Sequence, residues 1–149
     1  MSRAKTKETT AMKKLMIALV AIAMAACANA ATVMWSAANV YAMDASTKAT
    51  GYTAYFLSTT DMFNGETQIA KGYSYADATA ALAEGDISFL SDYAMSSATL
   101  NKGAGNNKAT TDAANGQSWT GYLVILDGTL ETAQNAYITA TATKATGGT

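Results

Sequence analysis

Five large apolar residues in a row, Tyr122-Leu123-Val124-Ile125-Leu126, form the one unbroken run of that length after residue 30. Successive side chains of a strand point to opposite faces of a sheet, so such a run leaves neither face for water. Segment 118–127 therefore reads as a central strand covered on both sides. The rest of the chain has to supply that cover.

The remaining segments read mostly as strands, because Thr and Ala dominate, aromatics are spaced through them and Pro is absent (0). Thr32 to Ala42 places Val33, Trp35 and Ala37 on one face, and Gly51 to Thr59 places Tyr52, Ala54 and Phe56 on one face. Asp86 to Met95 sets Ile87, Phe89, Ser91, Tyr93 and Met95 at period two, a half-buried strand. Asn135 to Thr143 alternates with Ala136, Ile138, Ala140 and Ala142 inward and Tyr137, Thr139, Thr141 and Thr143 outward, after a turn opened by Asp127-Gly128. One short helix is expected from the capping pattern Ser74-Tyr75-Ala76-Asp77 to Glu84, with Gly85 as its left-handed stop and Ala78, Ala81 and Leu82 on its packed face. Asn101 to Gln117, rich in Gly and Asn, reads as a long loop. These elements predict a mostly-β domain, a β-sandwich or jelly roll with one short helix; an α+β layer is the alternative.

The N-terminal segment reads as an address. Met12-Lys13-Lys14, an apolar stretch from Leu15 to Ala26 and the small residues Ala28 and Ala30 follow the order of a secretory leader, with Ala31 as the first mature residue. The stretch is short of the roughly 20 residues a spanning helix needs, so no transmembrane segment is expected in the mature chain. A rival reading takes Met24-Ala25-Ala26-Cys27 as a lipobox, with Cys27 lipidated and the product an outer-membrane lipoprotein. Residues 1–30 are thus the extension and leader, in which Met12 is an alternative start, and 31–149 a single extracytoplasmic domain.

The leader followed by Ala31-Thr32-Val33-Met34-Trp35-Ser36 resembles the N-terminal part of small secreted proteins of Verrucomicrobia- and Lentisphaerae-type gut bacteria, many of which carry a PEP-CTERM sorting tail. The resemblance implies an exported, surface-destined β domain and carries over no functional residue. The Pro-Glu-Pro motif, spanning helix and basic cluster of that tail are not found in these 149 residues.

Charge narrows the partners. From Ala31 onward ten carboxylates face five lysines and no arginine, a formal −5 that the overall −1 conceals. Nucleic acid is not an expected partner, because phosphate binding needs clustered cations. With 0 histidines and Cys27 lost at cleavage, His-activated nucleophiles, His- or Cys-bound metals and thiol chemistry have no side chain to work with. No cofactor, metal or enzymatic activity is expected.

The candidate residues that remain each carry a structural alternative. Trp119, beside the polar stretch containing Asn115, has a face for sugar stacking; strand aromatics are also ordinary core. Glu84 and Asp86 bracket Gly85 as a possible acid/base pair for a glycosidase, with Asp92 nearby, or as a helix end. Asp112, Asn106, Asn107 and Asn115 offer oxygen ligands for calcium without the spacing of a known loop. The expected function is a structural, adhesive or matrix role at or near a bacterial surface, with a surface polysaccharide or matrix protein as partner; a glycan-binding module is the alternative.

Overall fold

The computed structural model describes the backbone of Leu15–Met16 and residues 31–146. In chain order the elements are β1 (Leu15–Met16), β2 (Ala31–Ala37), β3 (Thr53–Ser58), β4 (Met62–Asn64), β5 (Thr67–Ala70), α1 (Tyr75–Ala83), α2 (Phe89–Tyr93), β6 (Ser96–Thr99), β7 (Gly105–Ala113), β8 (Ser118–Leu126), β9 (Ala136–Ile138) and β10 (Ala142–Ala145). The protein is mostly β, with antiparallel sheets and no closed barrel among the described residues. No described helix is long and apolar enough to cross a membrane.

The main sheet runs β1-β9-β8-β3-β6, with β10 also paired to β8. Its pairings are antiparallel except β1 on β9, where Leu15 lies opposite Ala136 and Met16 opposite Tyr137. β2 and β7 form a separate antiparallel ribbon, and β4 and β5 a hairpin turning at Gly65. The chain passes from the sheet to the ribbon at the Asn101–Ala104 turn between β6 and β7.

β8 is the central strand, as its apolar run requires: residues 121 to 126 are all buried. Tyr122, Val124 and Leu126 enter a core closed by Ala78 and Leu82 of α1 and Phe89 and Leu90 of α2. Trp119, Leu123 and Ile125 enter a second core, closed by Val33 and Trp35 of the ribbon and by Met62 and Ala70 of the hairpin. The sheet is thus backed by helices on one face and by β structure on the other.

α1 forms where its capping residues place it. The Ser74 side chain accepts from the Asp77 N–H at 3.0 Å, and Gly85, with φ of 77°, turns the chain out of the helix.

Three expectations need correction. Segment 86–95 is not a strand but contains the second helix, α2. Phe89 and Leu90 are neighbours and both are buried in the same core, which a strand's alternation forbids and a helix allows. Asp86 starts the turn by accepting from the Ser88 N–H at 2.9 Å and its hydroxyl at 2.6 Å.

Residues 101–117 are not a long loop: 105–113 form β7. Only Ala113 of that strand is buried, so main-chain pairing with β2 orders it and no apolar alternation announces it. Finally, the expected inward and outward alternation over 135–143 already fails at Tyr137, since residues 136 to 139 are all buried. Tyr137 is buried against the ribbon-side core, Thr139 is 0 % exposed and Ala140 is exposed. Thr139 exchanges hydrogen bonds with the Leu123 backbone, its hydroxyl accepting at 2.9 Å and its N–H donating at 3.0 Å. This kink divides the edge into β9 and β10.

Candidate functional site

Trp119 is 0 % exposed and packs in the ribbon-side core, so it presents no face to a sugar, which corrects the expectation placed on it. Its strand lies edge-to-edge with β10, Trp119 opposite Lys144, and the β2–β7 ribbon contributes to the core that closes over it. Asn115 is exposed in the turn before β8. Glu84 is the C-cap of α1, its N–H donating to Ala80 and Ala81, while the Asp86 carboxylate is engaged with Ser88. Asp92 is exposed on α2.

Asn106, Asn107 and Asp112 lie along β7 instead of converging in a loop. The Asn107 amide donates to Ser97 O at 2.6 Å, and the Asn64 amide donates to Asp112 O at 2.7 Å. No group of three or more potential metal-ligating side chains occurs among the described residues. Ala28, Ala30 and Cys27 lie outside the described residues; Ala31 opens β2.

Two aromatic groupings were not expected from the sequence. On the helical side Tyr73 stacks on Phe89 with centroids 4.7 Å apart and lies 4.7 Å from Tyr93, whose ring carries the Lys71 ammonium at 4.7 Å. The rings there cover one another, with Lys71 lying over the end of the column. Gly72 is required beside it, because a Cβ would meet the Thr60 backbone at 2.2 Å.

The second grouping is open to solvent. Residues 38–50 and 101–104 interlock: Val40 N–H donates to Gly103 O (3.1 Å), Gly103 N–H to Ala49 O (2.7 Å) and Ala49 N–H to Val40 O (2.9 Å). Lys102 N–H donates to the Thr50 hydroxyl at 3.0 Å. Val40 and Ala49 are buried, which fixes the loops to the core and leaves Tyr41, at 40 % exposure, standing above them. The Lys48 ammonium sits 5.7 Å from the Tyr41 ring centroid, within cation–π range, and donates to Asn39 Oδ1 at 3.3 Å.

Backbone strain gathers on the same loops. Among the described residues the non-glycine ones with positive φ, Asn39 at 60°, Ala45 at 61° and Lys102 at 53°, all belong to them. Such conformations cost energy and persist where surrounding contacts enforce them. Gly103, at φ 80°, leaves room that a Cβ would take within 2.7 Å of Val40 O and 3.3 Å of the Lys48 side chain.

Asp44 is the one carboxylate of these loops. It accepts from the Ser46 and Thr47 N–H groups (2.9 Å each) and the Thr47 hydroxyl (2.7 Å). Those bonds, Thr47's first, hold its pKa down at about 2. Tyr41, Lys48 and Lys102 carry no motif. The only sequence signal was punctuation by Asn39, Gly51 and Gly103.

In comparisons with known proteins, no family model, no curated protein and no solved structure matches the chain.

Proposed function

We propose that this chain is the precursor of an exported bacterial protein whose β domain serves a structural, adhesive or matrix role at or near the cell surface, without catalysis of its own. The observation that carries the reading is the position of Ala31. The residue expected to follow the leader is buried in the ribbon-side core, and the described residues from it onward assemble a core on each face of the central sheet. Cleavage there removes β1, which pairs with β9 over two residues.

Ala31 is 0 % exposed and lies opposite Ala113 of β7. A protease binds its substrate extended and accessible, so the cut precedes closure of the ribbon and the domain folds after export. N-terminal sequencing of the exported product tests this, with Ala31 expected as residue one. A lipidated Cys27 start would make it a lipoprotein, and retention of residues 12–30 would overturn export by this leader.

Glycan binding is the second reading, favoured by the exposed ring of Tyr41 among ammonium and amide groups. Stacking of a sugar's C–H face on an aromatic ring with polar groups around it is the usual chemistry of such sites.

A further inference from the structure

We infer that the interlocked loops carrying Tyr41, Lys48, Asn39 and Lys102 bind an acidic polysaccharide, a uronate-containing chain whose pyranose ring packs against the exposed Tyr41 while its carboxylate pairs with lysine ammonium groups of these loops. The inference rests on the glycan-binding reading and gives it a place and a ligand class. Exposure, cationic charge and backbone strain coincide here. Tyr41 is 40 % exposed, and the other two large exposed apolar residues, Met34 and Phe63, lie on strands. Two of the five lysines after residue 30 belong to these two loops, against one carboxylate.

The loops are preorganised. Their mutual main-chain hydrogen bonds and the buried Val40 and Ala49 hold three non-glycine residues at positive φ. A surface rigid before binding loses little conformational freedom on engaging ligand. Lys48 already rests over the Tyr41 ring with its head on Asn39 Oδ1, so the aromatic face and the cation are presented together. The Asp44 carboxylate is tied into its own turn by three donors, the Ser46 and Thr47 N–H groups and the Thr47 hydroxyl.

The net charge sharpens the test. At −5 after residue 30 the protein as a whole is repelled by a polyanion, so retention by one has to come from a local site. Native electrophoresis of the exported protein through gels containing polygalacturonate, neutral dextran or no glycan measures it. Mobility is expected to fall at least twofold in polygalacturonate and not in dextran, with recovery in 0.3 M salt. Tyr41→Ala and the double variant Lys48→Gln/Lys102→Gln should migrate as in the blank gel, while Phe63→Ala, equally exposed on the β4–β5 hairpin, should remain retarded. Circular dichroism of each variant confirms folding.

Retardation of Tyr41→Ala equal to wild type would move the site elsewhere and overturn this assignment while keeping glycan binding. Equal slowing by dextran would overturn the acidic ligand. No retardation in either gel would remove the glycan reading and this inference together, leaving the export reading to N-terminal sequencing.

Discussion

On the helical face of the central sheet the Tyr122 hydroxyl donates to Tyr73 O at 2.8 Å, whereas on the ribbon face the Trp119 indole N–H is buried without a hydrogen-bond partner and the Tyr137 hydroxyl lies beside the Tyr52 phenol. Both tyrosines are buried, and that burial drives their phenols well above their usual range. What differs is the cover. The segment leading into α1 passes over Tyr122 with an unpaired carbonyl within reach. The ribbon covers Trp119 and Tyr137 with side chains such as Val33 and Trp35, while its main-chain groups lie in the plane of the ribbon, alternate ones paired with β7. A segment leading into a helix can turn a carbonyl toward the core, whereas the face of a ribbon presents side chains. A buried donor without a partner costs roughly 1–3 kcal/mol, which large aromatic burial offsets.

The largest effect expected is at the strand shared by the two faces. Ile125→Asp places a charge at a 0 % exposed position and should abolish folding, since an unpaired buried charge costs several kcal/mol against a total stability of about 5–15. Thr141→Asp, at an exposed position, should leave the urea midpoint nearly unchanged. Similar midpoints for the two would break the account of β8 as the centre.

Next is Gly121→Val on the ribbon face, where the first added carbon falls 2.5 Å from the Phe56 ring and 2.9 Å from Leu57 O. Overpacking of this kind costs about 1–3 kcal/mol, read as a lower unfolding midpoint at unchanged m-value.

The comparison itself is tested by one atom at a time. Tyr122→Phe should cost about 1 kcal/mol, because it strands the Tyr73 carbonyl, while Tyr137→Phe should cost less, because its hydroxyl meets the Tyr52 phenol and no main-chain carbonyl is left stranded. Equal losses in the two variants would break the contrast between the two faces.

The smallest effect lies outside both cores. Asp44 has a folded-state pKa of about 2, below its ordinary 3.8, so its carboxylate stabilises the loop above the unfolded-state value and loses that contribution as pH falls through the folded one. The Tm of the wild type should therefore drop faster between about pH 4 and pH 2 than that of Asp44→Asn. Parallel profiles would detach Asp44 from loop order.

Legibility followed the source of each element's order. β8 and α1 were readable because their signals are local: a run that needs cover on both faces, and a cap paired with a glycine stop. β7 was not, since residues such as Asn106, Lys108 and Thr111 are exposed and the strand exists through its pairing with β2, distant in sequence. The same holds for the candidate site. Trp119 drew attention as a residue type beside a polar stretch, yet its exposure is set by strands from both ends of the chain. Tyr41 carries no such signal, because what distinguishes it, loops locked to one another across some sixty residues, leaves no periodic trace.

The sequence alone determined the mostly-β character, the central strand, the capped helix and the acidic balance after residue 30, because propensity, periodicity, capping and charge are properties of neighbours along the chain. Tertiary structure decided that 89–93 coils into a helix, that 105–113 becomes a strand, that Trp119 is sealed and that Tyr41 stands free. Each of those outcomes depends on which distant segment covers a given face, and burial is a property of the assembled layers.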